Sequence, residues 1–243
     1  MNETEKDFYD KKFYEYTFVK SSHSADRVTG IITNIFHPNT ICDVGCGEAV
    51  WLASYKRNGV ESVTGIDGQY VNLDRLYIPR ENFIPCDLAK PFKIDGKFDV
   101  VQSLEVAEHL PLSQSEHFID NLTGASDVVV FSAAVCGQGG MYHINEQPLQ
   151  YWRTLFRVRG YSAYDIVRPV IANDKKVAPW YRYNLLVYVS DNASPELLEK
   201  IALYKVLENQ EIRDVAPLWY NVRCKIISFL PFATQQFLAK LVS

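Results

Sequence analysis

The chain has 243 residues, of which 47% are hydrophobic and 13% aromatic, and its formal net charge is −4. This length and composition fit one α/β domain, with or without a small cap, and exclude a disordered chain. The acidic balance argues against duplex nucleic acid as a substrate, because duplex binding usually needs a basic face. A local basic patch stays compatible with this charge.

Cysteine usage and the N-terminus indicate the compartment. The five cysteines are an odd set without a Cys-x-x-Cys pair, which favours small buried thiols in a reducing environment over disulfides or a zinc site. The polar, acidic N-terminus is unlike a signal peptide, and no apolar run reaches the roughly 18 residues that span a bilayer. We therefore expect a cytoplasmic protein. The cysteines are Cys42, Cys46, Cys86, Cys136 and Cys224.

Residues 1–37 are rich in aromatic and charged side chains and are expected to form a helical cap. The aromatic residues would either pack on the following domain or cover its site as a lid. They are Phe8, Tyr9, Phe13, Tyr14, Tyr16 and Phe18.

Strand and helix patterns alternate through residues 38–190, which we assign to the main domain. This alternation predicts a doubly wound, mostly parallel α/β sheet. The continuously apolar run 128–131 is typical of a strand that is covered on both faces. Strands are predicted at 41–44, 62–66, 83–86, 98–103, 127–132, 164–168 and 185–190, and helices at 49–58, 115–122 and 147–159.

Residues 191–243 are expected to form a helical extension, with a first helix from Ser194 to about Glu211. Residues 217–243 combine many apolar side chains with three basic residues and no acidic one. Two interpretations stay open for this segment. It packs on the core or on a second copy of the chain, or it lies on a membrane surface as a basic amphipathic segment.

A sharp glycine turn follows the first predicted strand, in Ile-Cys-Asp-Val-Gly-Cys-Gly-Glu at 41–48. Gly45 and Gly47 allow a tight bend and close approach of a ligand, while Asp43 lies at the carboxyl end of the strand, where open α/β sheets bind ligands. Asp67 ends the second strand, where a carboxylate can accept hydrogen bonds from both hydroxyls of a ribose.

Two further segments complete this pattern, Cys86-Asp87-Leu88 after the third strand and Gln102-Ser103-Leu104-Glu105 after the fourth. Together the four segments resemble the class I S-adenosylmethionine (SAM) methyltransferases over roughly residues 35–190. A dinucleotide-binding dehydrogenase fits less well, because Val50 stands where its third glycine would be.

The resemblance implies a seven-stranded sheet of order 3-2-1-4-5-7-6 with an antiparallel last strand. It also implies SAM as methyl donor and S-adenosylhomocysteine as product. The residues that it places at the cofactor are Asp43, Gly45, Cys46, Gly47, Asp67, Gly68, Asp87, Leu88, Ser103 and Leu104.

Candidate catalytic groups follow the fourth strand in Glu105-Val-Ala-Glu108-His109. In a helix, Glu105, Glu108 and His109 would share one face, and a histidine suits the removal of a proton from an acceptor hydroxyl at neutral pH. His143 is the second candidate base. We assign Glu105, Asn145, Glu146 and Tyr181 to the substrate.

The same motif with a later histidine also resembles the magnesium site of RNA 3′-terminal 2′-O-methyltransferases. Carboxylates suit Mg²⁺, which prefers oxygen ligands, but we do not expect a functional metal. The predicted activity is methyl transfer to a hydroxyl of a small molecule, such as a sugar, a lipid-linked compound or a natural product. An RNA or protein methyltransferase and a SAM-binding partner protein without catalysis are the alternatives. A homo-oligomer is compatible with the sequence.

Overall fold

The computed structural model describes residues 11–242, with side chains described for residues 22–240. The aromatic side chains between Phe8 and Phe18, on which the lid hypothesis rests, lie outside the described side chains. Helix α1 spans Lys11–Phe36 and buries Ala25, Val28 and Ile32, which are spaced as one helical face. It ends one residue before His37, which has a φ of 47° and precedes a proline.

Seven strands form one sheet in the order β3-β2-β1-β4-β5-β7-β6. The pairs among β1 to β5 are parallel, and β7 runs antiparallel to both β5 and β6. The fold class, the strand order and the antiparallel last strand are thereby confirmed. The strands are β1 Thr40–Val44, β2 Ser62–Asp67, β3 Phe83–Pro85, β4 Val100–Leu104, β5 Val128–Ser132, β6 Tyr161–Tyr164 and β7 Leu186–Ser190.

Helices cover both faces of the sheet. Alternation along β5 explains why, since Val128 and Val130 join the apolar cluster with α1, whereas Val129 and Phe131 join the cluster on the other face. The later helices are α2 Val50–Arg57, α3 Ser115–Ala125, α4 Leu149–Arg157, α5 Arg168–Ile171, α6 Pro179–Asn184, α7 Pro195–Ile201, α8 Leu218–Ser228 and α9 Phe232–Val242. Short 3-10 turns lie at Leu73–Arg75, Arg80–Asn82, Ala107–His109, Leu112–Gln114 and Ala202–Tyr204.

Two predicted elements were wrong in position, and one helix had not been predicted. Strand β6 begins at Tyr161, three residues before its predicted start, and residues 179–184, to which no element was assigned, form a short helix. The helix after Ser194 ends at Ile201, well before Glu211. The buried Arg153 guanidinium donates to the carbonyl oxygens of Val206, Leu207 and Gln210, so these residues run along α4 and cannot continue the helix.

The cysteines and the helices bear on two further expectations, buried thiols and the absence of a membrane-spanning segment. All five cysteines are free; three are buried, Cys86 is half-buried, and Cys136 is exposed, against the expectation of burial. Within residues 11–242, no helix has both the length and the apolar character that crossing a membrane requires. The domain limits at residues 37 and 190 stay predictions.

Candidate functional site

The glycine turn after β1 leaves room for a ligand at the carboxyl edge of the sheet. Gly45 has a φ of +84°, and a Cβ there would lie 2.2 Å from Val106 Cγ2, so only glycine fits. Gly47 has a φ of +53°, and a Cβ there would meet no atom within 4 Å. Val106 therefore fills the space beside Gly45, whereas the space beside Gly47 is open and could receive a ligand.

Asp67 lies at the end of β2 with its carboxylate against this turn. Its Oδ2 accepts from Gly47 N at 2.7 Å, and its Oδ1 accepts from Gly68 N at 2.6 Å and from the Tyr70 hydroxyl at 2.5 Å. Burial raises the pKa of Asp67, and these three hydrogen bonds oppose that shift. The backbone donors fix the orientation of the carboxylate, and the Tyr70 hydroxyl occupies a position that a ribose hydroxyl could take.

Asp43 is buried beneath the turn, with 2% of its surface exposed. Burial raises its pKa to about 7; a hydrogen bond with Gln102 lowers the value, and the charge of Asp67 raises it. Asp43 is therefore partly protonated at neutral pH. Its hydrogen-bond partner Gln102 lies on the neighbouring strand β4.

Of the other predicted cofactor residues, one is exposed and four are buried. Asp87 is exposed, where its carboxylate accepts from Ala89 N at 3.1 Å and pairs with Lys90 at 2.9 Å. Ser103 is buried, and its hydroxyl donates to Val44 O at 2.8 Å, which ties β4 to β1. The side chains of Cys46, Leu88 and Leu104 are buried in the two apolar clusters, and their contact with the cofactor stays a prediction.

The segment after β4 does not form the predicted α-helix, and the expected shared helical face is wrong. Glu105 adopts a left-handed backbone with a φ of 56°, and its N–H donates to Ser132 O at 2.9 Å, which extends the pairing with β5. Only Ala107–His109 then close a 3-10 turn. Long-range pairing to β5 thus overrides the local helical pattern.

Three side chains nevertheless meet at this turn. Glu108 is fully buried, and neither of its carboxylate oxygens has a hydrogen-bond partner among the described residues. His143 Nε2 lies 4.0 Å from Glu108 Oε1, and the His143 ring meets the His109 ring edge-on with centroids 4.9 Å apart. One ligand atom from each of Glu108, His109 and His143 lies within 4.8 Å of the others, a spacing that suits a metal ion.

The orientation of His143 is fixed by Glu146. Glu146 Oε1 accepts from Gly139 N and contacts His143 Nδ1, both at 2.8 Å, and Oε2 accepts from Gly137 N at 2.7 Å. Because an ionised carboxylate only accepts, Nδ1 of a neutral His143 carries the proton and Nε2 keeps its lone pair. A Cβ on Gly140 would lie 2.2 Å from Nε2, so Gly140 makes room for the ring.

The cluster favours uncharged groups at neutral pH. Burial, together with the charge of Glu105, holds the pKa of Glu108 well above its usual range. Burial also raises the pKa of Glu105, against a hydrogen bond from Gln138. Desolvation, followed by the charge of His143, lowers the pKa of His109. A bound cation would reverse the preference of Glu108 for its protonated form.

Sequence reasoning missed Gln138 and Asn184. Gln138 Nε2 donates to Glu105 Oε2 and Gln138 Oε1 accepts from Asn184 Nδ2, both at 2.7 Å. Gln138 follows the glycine at 137, and this loop position was the only sequence signal. The two amides hold Glu105 in place and connect it to α6.

Two predicted substrate residues have structural partners. Asn145 is buried, and its Nδ2 donates to Ser115 Oγ at 3.0 Å, while its N–H donates to Glu108 O at 3.0 Å. Tyr181 is buried and meets the Trp51 ring edge-on, with centroids 4.9 Å apart. Their contact with an acceptor stays a prediction. The structure brings together Glu105, Glu108, His109, His143 and Glu146 around one loop.

Comparisons with known proteins agree with this architecture. A family model described as a methyltransferase domain matches residues 20–164. No curated protein matches the chain.

Many solved structures are similar in fold, among them the following three. The methyltransferase domain of bacterial CtHen1-C is 20% identical with a TM-score of 0.53, covering 70% of this chain and 98% of that one. An O-methyltransferase family protein from Burkholderia thailandensis is 14% identical with a TM-score of 0.58, covering 75% and 59%. Magnesium protoporphyrin IX methyltransferase from Synechocystis PCC 6803 with bound SAM is 17% identical with a TM-score of 0.54, covering 76% and 93%.

Proposed function

Because this chain belongs to the methyltransferase-domain family of SAM-dependent enzymes, we propose that it methylates a hydroxyl group of a small-molecule acceptor. The observation that carries the proposal is the pairing of His143 with Glu146, which presents an unprotonated Nε2 beside Glu108 and His109. A hydroxyl acceptor needs such a base, because the free hydroxyl is a weak nucleophile at neutral pH.

The glycine turn and Asp67 would hold the methyl donor. When bound, SAM supplies an electrophilic methyl group on a sulfonium centre. Asp67 presents two oxygen atoms that backbone N–H groups keep in orientation, and Gly47 leaves the space above the turn open. This fit supports SAM as the donor and S-adenosylhomocysteine as the product.

His143 would act as the base, with Glu146 as its positioning residue. With an acceptor placed beside the methyl donor, His143 Nε2 would take the proton of the acceptor hydroxyl. Glu146 then stabilises the charged ring through Nδ1–H. His109 is the weaker candidate, because Glu146 positions the ring of His143 and because desolvation lowers the pKa of His109.

The test is transfer of labelled methyl from SAM into cell extract fractionated into small molecules, glycolipids, RNA and protein. Label in a small-molecule or glycolipid fraction supports the proposal, whereas label only in RNA or protein overturns it. His143→Ala should lower the rate by about 100-fold or more, the usual contribution of a positioned base, and spare SAM binding. The matched control is His117→Ala, an exposed histidine on α3, which should leave the rate unchanged.

A metal-assisted reaction is the second candidate. The two unpartnered oxygens of buried Glu108, with His109 and His143 within ligand spacing, fit a divalent cation that would lower the pKa of the acceptor hydroxyl. His143 cannot be both a ligand through Nε2 and the base, so the two readings exclude each other.

Chelation separates the two candidates. Loss of transfer in EDTA with recovery on adding Mg²⁺ or Mn²⁺ supports the metal and excludes His143 as base. Full activity in EDTA, in protein shown to be metal-free, eliminates the metal. A metal-dependent transfer into RNA would instead favour the RNA methyltransferase alternative.

A further inference from the structure

Helix α8 carries apolar side chains on two opposite faces. Its inner face buries Tyr220 and Cys224, and the Tyr220 ring meets Tyr183 with centroids 5.0 Å apart. Its outer face presents side chains that recur every three or four residues, about one helical turn, and all are exposed: Leu218, Val222, Ile226 and, at the C-cap, Phe229. Leu218 is 80% and Phe229 79% exposed. The inner face therefore packs α8 on the rest of the protein, whereas the outer face is covered by none of the described residues.

The apolar surface extends beyond α8. Trp219 is 63% exposed beside the outer face, and Phe232 at the start of α9 is also exposed. An aromatic-rich apolar surface of this kind is larger than scattered surface hydrophobic residues explain, and it marks an interaction site. We define the outer surface as Leu218, Trp219, Val222, Ile226, Phe229 and Phe232.

The charges carried by residues 217–243 are of one sign, while the exposed carboxylate of Asp214, before α8, accepts from Asn221 Nδ2 at 2.6 Å. Residues 217–243 contain Arg223, Lys225 and Lys240 and no acidic residue, although the whole chain has a net charge of −4. A symmetric dimer through this surface would bring two copies of the same basic segment together, and their like charges would oppose association. An anionic lipid surface is compatible with both the exposed apolar side chains and the basic residues. Aromatic and aliphatic side chains enter the membrane interface, while Lys and Arg bind the headgroups.

We propose that the outer surface docks this protein on a bilayer that contains anionic lipids. The surface adjoins the candidate site, because the Arg223 guanidinium donates to Gln138 O at 3.0 Å and a Cβ on Gly137 would lie 1.9 Å from Cys224 O. In α9, Gln236 accepts from Tyr142 N at 2.8 Å. The docking helices thus contact the loop that carries His143 and Glu146.

The experiment is cosedimentation of the full chain with vesicles of phosphatidylcholine, with and without phosphatidylglycerol. Wild type should bind only the anionic vesicles, and binding should weaken with salt. Leu218→Ser and Phe229→Ser should each lower vesicle affinity by roughly 10-fold, the effect of withdrawing one large apolar side chain from the lipid. Leu203→Ser is the matched control, because Leu203 is 96% exposed on a different segment and should not matter.

Charge is tested separately. Lys225→Glu should weaken binding to anionic vesicles by roughly 10-fold or more. Lys200→Glu is the matched control, because Lys200 on α7 is also exposed, and it should have a smaller effect. No wild-type binding, or equal losses in Leu203→Ser, would overturn the proposal. So would sedimentation velocity showing a dimer that Leu218→Ser dissociates, because a second copy would then occupy the surface.

Vesicle binding needs no methyl acceptor, so its failure is distinct from failure of the proposed activity. SAM affinity of the Leu218 and Phe229 variants should match wild type, because neither residue lies in the glycine turn. A variant that lost both vesicle binding and SAM binding would report a folding defect. The Lys225 pair, which changes only exposed side chains, then decides the proposal.

Discussion

Replacing Asp67 by Asn tests whether this carboxylate holds the ribose of SAM. In the structure, Gly47 N and Gly68 N each donate to a different carboxylate oxygen at 2.7 and 2.6 Å. An asparagine must turn its NH₂ group toward one of these donors, so one acceptor is lost whichever way the amide lies. The substitution changes charge and hydrogen bonding with almost no change in volume.

The magnitude follows from the number of hydrogen bonds lost. A hydrogen bond to a charged group contributes about 1.5–3 kcal/mol, and a ribose hydroxyl that faces the NH₂ group loses one. SAM should therefore bind about 10- to 100-fold more weakly to Asp67→Asn. Tyr70→Phe should bind SAM at least as tightly as wild type, because the Tyr70 hydroxyl competes for the same carboxylate oxygen.

Isothermal titration calorimetry of SAM and S-adenosylhomocysteine measures both effects without a methyl acceptor. Asp120→Asn, at an exposed carboxylate on α3 that pairs with Arg159, is the matched control and should leave affinity unchanged. Urea unfolding shows whether the variants remain folded. If folded Asp67→Asn bound SAM within threefold of wild type, about 0.6 kcal/mol, the ribose assignment would be refuted.

Three other predictions concern the turn, the loop and α4. Because burial raises the pKa of Asp43 to about 7, the folded state keeps a proton that the unfolded state releases near pH 4. The free energy of unfolding should therefore fall by up to ~4 kcal/mol as the pH rises from about 4 to about 7. Asp43→Asn should abolish this pH dependence in urea titrations. Gly140→Ala should displace His143 and lower methyl transfer by about 10-fold or more, with SAM affinity unchanged by calorimetry; an unaltered rate would contradict the role of His143. Arg153→Met should lower the free energy of unfolding by about 3 kcal/mol in urea, because three carbonyl groups lose their donor, and a loss under about 1 kcal/mol would show that water replaces it.

The sheet could be predicted because its information is local. Runs such as Val-Val-Val-Phe at 128–131 are apolar on both strand faces, and glycine and aspartate mark where strands end. The order of the strands came from the resemblance of the glycine turn and the three later segments to a known family. The end of α7 could not be predicted, because Arg153 on α4 fixes residues more than fifty positions later in the chain.

The candidate site shows the same division between local and long-range information. The residue types were predicted, but Glu105 was expected in a helix, and its left-handed backbone depends on pairing with Ser132 on another strand. No local pattern contains that partner. The cluster of Glu108 with His143 likewise depends on where the loop after β5 crosses the turn after β4.

Glu146 shows how the structure changes the meaning of a correctly selected residue. The sequence placed a carboxylate three residues after His143, and we predicted that it would contact the substrate. In the structure the carboxylate accepts from two loop N–H groups and contacts the His143 ring, so Glu146 has a positioning role that the sequence did not indicate. Its contact with the substrate stays a prediction, and its effect through His143 can be tested. Because Glu146 positions His143, Glu146→Gln should resemble His143→Ala in rate while leaving SAM affinity intact.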